Sequence, residues 1–380
     1  MVTVLIAGGG TGGHVFPMIA VGDALRALGE DVAVVYVGTA RGIEARVMPE
    51  RGDDLELMDV LPLRGGGVRG LVRGVARAAM SVPEARALVR RRKPDVVLSL
   101  GGYAAGPVAL AARTLGVPLA ILEPNSVLGL TNRLLSPLAR RAYTAFPEVE
   151  RGLRPSVVMR AGVPLRCAFA PIAYEPRADR VALLVLGGSL GAAALNDIVP
   201  RAIAAARLGS PDRGAADRPG PRLDIVHQTG KDRQAAVRAL YAELGVQAEV
   251  VPFIDDVASA IGRADLVIGR SGASAVAELC AVGRASILIP FPFAVDDHQL
   301  HNARSLERAG ATVAIPQPEA SAPRITREIE QLAADPDRRR RMASAAAALG
   351  RPDAASQVAR DLLAIARQSA GARPGAKGKN

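Results

Sequence analysis

Short apolar runs alternate with stretches of helical spacing along most of this 380-residue chain. Val2–Ala7, Val32–Val37, Val96–Leu100 and Leu119–Leu122 are each bounded by Gly, Pro or Asp. Unbroken apolar runs of that length predict strands buried on both faces, as in a parallel sheet. Between them, Pro17–Leu28 and Gly106–Leu115 have helical length and apolar spacing. This alternation predicts right-handed βαβ units in a doubly wound α/β sheet.

The pattern occurs twice. Val4-Leu5-Ile6-Ala7-Gly8-Gly9-Gly10-Thr11-Gly12-Gly13 is echoed by Leu183-Leu184-Val185-Leu186-Gly187-Gly188-Ser189-Leu190-Gly191-Ala192. Pro94-Asp95-Val96-Val97-Leu98 with Gly101-Gly102 is echoed by Ala264-Asp265-Leu266-Val267-Ile268 with Gly269 and Gly272. Two copies of one architecture follow: a first domain over 1–163 and a second over 164–350, joined near Ala161-Gly162-Val163-Pro164. Helical periodicity over Asp353–Arg367 predicts a last helix, within 351–368, that returns to the first domain. Residues 369–380 read as a disordered basic tail, and Arg207–Arg222, rich in Gly, Pro, Asp and Arg, as a mobile surface loop.

Composition narrows the class. With 49% of residues apolar the chain can bury a sizeable core, which excludes a disordered protein. Thirty-nine glycines and no tryptophan suit tight βα turns better than an aromatic-lined carbohydrate cleft. A net charge of +11 fits either a soluble surface or an anionic partner, and charge alone does not choose. Cys167 and Cys280 lack metal spacing and sit in apolar surroundings, so both read as reduced core residues. Met1–Gly8 has no basic n-region and reads as a first strand rather than a signal peptide. No apolar run approaches the roughly 20 residues of a membrane span, so any membrane contact would be peripheral.

Candidate chemistry lies at the glycine turns. Gly8–Gly13 follows the first strand, with a helix opening near Pro17; glycine there permits positive φ and lets N–H groups approach a ligand. The spacing departs from the dinucleotide fingerprint at its third glycine, and no acidic residue closes the second strand near Val37. His14 ends that loop at the helix entrance, as a site residue or a brace for the turn. Gly187-Gly188-Ser189 offers a hydroxyl and exposed N–H groups at a helix N-terminus, suited to a diphosphate. In Arg270-Ser271-Gly272-Ala273-Ser274, Ser271 can cap a helix whose face carries Ser274 and, one turn on, Glu278, an acceptor for vicinal ribose hydroxyls. After Pro290-Phe291-Pro292-Phe293, the cluster Asp296-Asp297-His298-Gln299 with His301 and Asn302 suits sugar hydroxyls better than a metal. Asp337, in Asp335-Pro336-Asp337, reads as an N-cap.

Taken together, these residues resemble the MurG family of peptidoglycan N-acetylglucosaminyltransferases, which form lipid II. The likeness runs from about Val2 to Leu363. It includes Gly9–His14, Lys93–Val97, Gly101-Gly102-Tyr103, Gly129-Leu130-Thr131-Asn132, Gly187–Ser189, Phe253–Asp256, Arg270–Ala273 and Asp297–Ala303. It implies two Rossmann-like domains facing across a cleft, the GT-B fold. It also implies an inverting hexosyltransferase that moves N-acetylglucosamine from UDP-N-acetylglucosamine to undecaprenyl-pyrophosphate-linked N-acetylmuramyl-pentapeptide, without a cofactor or metal. By the same resemblance, Ile254 would meet uracil, Glu278 the ribose, Ser189 the diphosphate and Gln299 the sugar, with Ala273, Ser274 and Arg166 also at the donor. Thr11, Gly12, Gly13 and Asn125 would line the cleft, Tyr103 would lie on the acceptor side, and His14 would be the general base. Three positions depart from the family pattern: Pro124 in Glu-Pro-Asn, Val163 in Gly-Val-Pro and Leu190 after Gly-Gly-Ser.

A lipid-linked acceptor needs a docking face. Helical spacing from Arg69 to Val82 puts Leu71, Val75, Ala78 and Val82 on one side and Arg69, Arg73 and Arg77 opposite, and Arg90–Lys93 add charge. Such a helix either lies on an anionic membrane, at the cytoplasmic face of the inner membrane, or packs on its own domain. Competing readings are a transferase for another lipid acceptor such as diacylglycerol, an NAD-dependent oxidoreductase, and a nucleic-acid-binding protein. The last lacks aromatic interleaving, so no nucleic acid is expected as partner.

Overall fold

A computed structural model of the chain describes residues 1–10, 12–29, 31–60, 80–102, 104–188, 191–206, 208 and 220–371. By its internal contacts the chain divides into two units, Met1–Cys167 with Asp353–Asn380, and Ala168–Pro352.

In the first unit β1 (Val2–Ala7), β2 (Val32–Thr39), β3 (Leu55–Met58), β4 (Val96–Ser99), β5 (Leu119–Glu123), β6 (Arg141–Thr144) and β7 (Val158–Arg160) form one parallel sheet. Its order is β3-β2-β1-β4-β5-β6-β7. The register sets Ile6 beside Tyr36 on one flank and Leu98 on the other. Strand alternation sends Val4 and Ile6 to one face, Leu5 and Ala7 to the other, so both faces carry a core. One face is covered by α3 (Val82–Arg92), α4 (Ala105–Thr114) and α5 (Leu130–Leu135), and the other by α1 (Gly12–Ala27). The turn of helix α2 (Glu44–Glu50) follows β2.

The second unit repeats the plan. Strands β8 (Arg180–Leu186), β9 (Arg222–Gln228), β10 (Glu249–Val251), β11 (Leu266–Gly269), β12 (Ala285–Leu288) and β13 (Thr312–Ala314) run parallel in the order β10-β9-β8-β11-β12-β13. Its helices include α6 (Ala193–Ala205), α7 (Gln234–Glu243), α8 (Val257–Arg263), α9 (Ala273–Val282), α10 (His298–Arg308), α11 (Ala322–Ala334) and α12 (Pro336–Leu349). The last helix, α13 (Ala354–Gly371), packs on α1 in the first unit, burying Val358, Leu362 and Ala366.

Several local expectations need correction. Helix α1 opens at Gly12, five residues before Pro17, because Val15 and Met18 are already buried against the sheet. Pro17 has no N–H, so the Gly13 carbonyl lacks its usual helical partner. Arg222 begins β9 rather than ending a loop, and residues 207 and 209–219 lie outside the described set. The helix continues to Gly371, past the expected start of a tail at 369, while 372–380 lie outside the described residues. Asp335, not Asp337, caps α12, its carboxylate accepting from Arg338 N at 2.7 Å; Asp337 pairs with Arg340 instead. Cys280 is buried, which pushes its thiol up to about 12, but Cys167 is exposed. No described helix is long and apolar enough to cross a membrane.

Candidate functional site

Parallel strands deliver their following loops to one edge, and the order reverses between β1 and β4 in the first sheet and between β8 and β11 in the second. Ligands of open α/β sheets bind outside the carboxyl ends of the strands at such a reversal. Most predicted site residues that the structure describes fall in these loops or in the helices they open.

In the first unit, Gly9 and Gly10 turn the chain after β1 with φ of 127° and 92°. The chain then enters α1, whose first turn holds Gly12, Gly13 and half-buried His14. A second turn, Gly101-Gly102 after β4, lies against the first: a Cβ on Gly102 would stand 3.2 Å from the Gly9 carbonyl oxygen. Thr131 Oγ1 donates to the Gly102 carbonyl at 3.3 Å, which ties α5 to this pair of turns. Asn125, in the loop after β5, is held by Glu123. That carboxylate accepts from Asn125 N (3.1 Å), Asn125 Nδ2 (3.3 Å), Gly129 N (2.9 Å) and Asn132 Nδ2 (3.0 Å). Burial raises the pKa of Glu123 in spite of these donors. Arg166 sits over the Phe16 ring, 5.9 Å from its centroid, beside the first turn of α1.

In the second unit, Gly188 and Gly191 take φ of 76° and 72° between β8 and α6. A Cβ on Gly191 would stand 2.3 Å from the Thr229 carbonyl oxygen. Gln228 Nε2 donates to the carbonyls of Gly188 (3.0 Å) and Pro252 (3.1 Å), joining this turn to the loop that carries half-buried Ile254. Beneath it Asn196 Nδ2 donates to the Thr229 carbonyl at 3.0 Å, so Asn196 Oδ1 faces His227 Nε2 as an acceptor at 3.1 Å. His227 therefore carries its proton on Nε2, and Nδ1 accepts from Tyr241 Oη at 3.0 Å. Burial lowers the pKa of His227 to about 4, so the ring is neutral.

Helix α9 begins at Ala273, and Gly272, not Ser271, stands at its N-cap. Buried Ser271 instead donates from Oγ to the Gln299 carbonyl at 2.7 Å, because the side chain points at α10 rather than back along its own helix. Ser274 and Glu278 share a face of α9, and the buried Ser274 Oγ has no hydrogen-bond partner among the described residues. Phe291 N donates to Gln299 Oε1 at 3.0 Å, which fixes the amide and leaves Nε2 towards Gly272. Gln299 thus offers donors, not an acceptor, near the mouth of α9. Arg270 braces this corner: Nη1 donates to the carbonyls of Ile289 and Pro290, Nη2 to Gln317 Oε1, and the guanidinium lies 5.6 Å from the Phe291 centroid. His298 Nδ1 is 2.8 Å from the Val295 carbonyl oxygen, and His301 is exposed.

Thr11, Tyr103, Ser189, Leu71, Val75, Arg73 and Arg77 lie outside the described residues. Of the neighbouring cations, Arg91 pairs with Glu56, and Arg92 with Glu56 and Asp54, so two charges assigned to a basic face are neutralised at the edge of β3. Sequence reasoning missed Glu44, Asn196, His227 and Gln228, which support the glycine turns without standing in a glycine motif themselves.

Comparison with known proteins fits this geometry. Residues 4–144 match the glycosyltransferase family 28 N-terminal domain, and residues 182–358 its C-terminal domain. A Sorangium cellulosum protein named UDP-N-acetylglucosamine–N-acetylmuramyl-(pentapeptide) pyrophosphoryl-undecaprenol N-acetylglucosamine transferase is 67% identical, over 97% of this chain and 89% of its own. The Myxococcus xanthus protein of the same name is 42% identical over 94% and 92%. The crystal structure of Acinetobacter baumannii MurG aligns with a TM-score of 0.77 at 31% identity, covering 96% of this chain and all of that one. The chain belongs to glycosyltransferase family 28 and has its two-domain α/β architecture.

Proposed function

We propose that the chain transfers N-acetylglucosamine from UDP-N-acetylglucosamine to the 4-hydroxyl of undecaprenyl-pyrophosphate-linked N-acetylmuramyl-pentapeptide, turning lipid I into lipid II at the cytoplasmic face of the plasma membrane. The observation that carries this is 67% identity, across nearly the whole chain, to a transferase named for that donor and acceptor. An oxidoreductase reading does not survive the family assignment.

In this reading the second unit takes the donor. The Ile254 backbone meets uracil, Glu278 accepts from the ribose hydroxyls, Ser189 and the N-terminus of α6 meet the diphosphate, and Gln299 Nε2 donates to the sugar. Ala273, Ser274 and Arg166 complete the donor set. From the first unit, Thr11, Gly12, Gly13 and Asn125 also belong to the donor set, and Tyr103 to the acceptor side. The acceptor hydroxyl attacks the anomeric carbon from the face opposite UDP. A β-1,4 bond forms as the bond to the diphosphate oxygen breaks, so the configuration inverts. The hydroxyl proton passes to His14, and the charge that collects on UDP is stabilised by N–H groups at helix N-termini. The sequence segment Arg69–Val82, with Leu71, Val75, Arg73 and Arg77, meets the anionic membrane surface.

A transfer assay tests the assignment directly. Incubation with labelled UDP-N-acetylglucosamine and a panel of lipid-pyrophosphate muramyl, diacylglycerol and small sugar acceptors is expected to label the muramyl acceptor alone. Preferential labelling of diacylglycerol would overturn it.

A further inference from the structure

Glu44 is wholly buried, yet the transfer chemistry leaves it without a role. Its carboxylate accepts from Gly10 N at 3.0 and 3.2 Å, Thr39 N at 2.9 Å and Thr39 Oγ1 at 3.1 Å. All of these donors are neutral, and among the described residues no cation pairs with it. A buried carboxylate without a countercharge is costly to keep, and apolar side chains would fill the same space without that cost. Three glycines make room for it. A Cβ on Gly9 would stand 2.2 Å from Glu44 Oε1, one on Gly42 would stand 2.1 Å from either oxygen, and one on Gly38 would stand 2.4 Å from Cγ. Gly38 lies in β2, Gly42 just before α2 and Gly9 after β1, so the β1 exit and the β2–α2 connection are both shaped around one carboxylate.

What the carboxylate supplies is direction. Both oxygens converge on Gly10 N–H, which holds the Gly9-Gly10 turn in its left-handed conformation and anchors it to the end of β2. The Gly9 carbonyl lies directly against Gly102, so the same anchor sets the second glycine turn as well. The Gly10 N–H is thereby engaged by the carboxylate and is not offered to a ligand. His14 lies four residues beyond the clamped amide, in the first turn of that helix.

We propose that Glu44 is a positioning residue for the transfer: a buried clamp that fixes the turn delivering His14 and the mouth of α1. The proposal rests on the reading of His14 as base, and its tests separate the two. In the full chain, Glu44→Gln sets an amide NH2 against donors that need an acceptor. Turnover is expected to fall about 10- to 100-fold while the KM for UDP-N-acetylglucosamine and the UDP Kd stay within about twofold. Hydrogen exchange should accelerate at Gly10 but not along β1, and Glu44→Asp, which keeps the charge on a shorter arm, should recover part of the rate. Parent-like turnover in Glu44→Gln overturns the proposal. So does loss of protection throughout the first unit, which would make Glu44 a purely structural residue. Should the variant fail to fold, the unaltered chain still decides: a Gly10 amide that exchanges as fast as an exposed loop amide removes the clamp. A protected Gly10 together with normal turnover in His14→Ala would instead remove the base and leave the clamp standing.

Discussion

At the scale of single residues, two histidines on equivalent architecture carry opposite burdens. His14 is half-buried in the first turn of α1, within reach of solvent. Replacing it by Ala is expected to lower kcat by roughly 10²- to 10⁴-fold, the usual share of a general base, with the UDP Kd measured calorimetrically unchanged. Near-normal turnover would remove the assignment. His227 is sealed between Asn196 and Tyr241. Its pKa falls from 6.5 to about 4 because burial disfavours the imidazolium. Between those two values the unfolded chain binds a proton that the folded chain refuses. Stability from this group is therefore complete above about pH 6.5 and is lost as pH drops towards 4, by about 3 kcal/mol in all. Urea midpoints of the second unit at pH 7.5 and 4.5 should show this slope, and His227→Gln, though weaker at neutral pH, should have less of it. An unchanged slope would mean that His227 protonates without opening the network.

At the scale of elements, the glycine turns decide most of the site. Gly191 has a φ of 72°, and a Cβ there would run into a backbone carbonyl 2.3 Å away. Gly191→Ala should cost at least about 1–2 kcal/mol from the left-handed conformation alone. More usefully, it should weaken UDP binding at least about tenfold by shifting the mouth of α6. A variant that binds UDP like the parent would show that this turn does not carry the diphosphate. These turns were legible in the sequence because glycine is the residue that left-handed backbone favours, and the repeated Gly-Gly pattern placed both sheets. Apolar runs likewise located β1, β2, β4 and β5, since strands buried on both faces leave unbroken hydrophobic stretches. What stayed hidden was the support. Glu44 reads as an ordinary charged residue near a helix start, and only the fold brings Gly9, from the far side of α1, against it. Ser271 misled for a related reason: residue type suggested a cap, whereas the neighbouring α10 offered its hydroxyl a carbonyl from across the sheet edge. Local chemistry names the turns, and long-range contacts choose the bracing.

At the scale of the whole molecule, the two units differ in how the chain builds them. The second is one continuous segment, Ala168–Pro352, while the first is closed only when α13 returns from the C-terminal end. That helix contributes Val358, Leu362, Leu363 and Ile365 to the same core as Val15, Met18 and Leu25 of α1. At about 1.5–3 kcal/mol for each large aliphatic side chain, it supplies several kcal/mol, a large part of the stability of an ordinary domain. A polar clasp adds direction: Asp361 accepts from Arg141 Nε at 2.7 Å, Arg141 Nη2 at 3.0 Å and Tyr143 Oη at 2.8 Å, which binds α13 to β6. Removing 353–380 should therefore unfold the first unit and abolish transfer, even though the glycine turn before α1 lies at the opposite end of the sequence. Residues 168–352 expressed alone should still fold and bind UDP, and transfer nothing. Differential scanning calorimetry of the truncated chain should show the transition of the second unit only. A 1–352 chain that keeps both transitions and the parent rate would show that the first sheet is complete without α13.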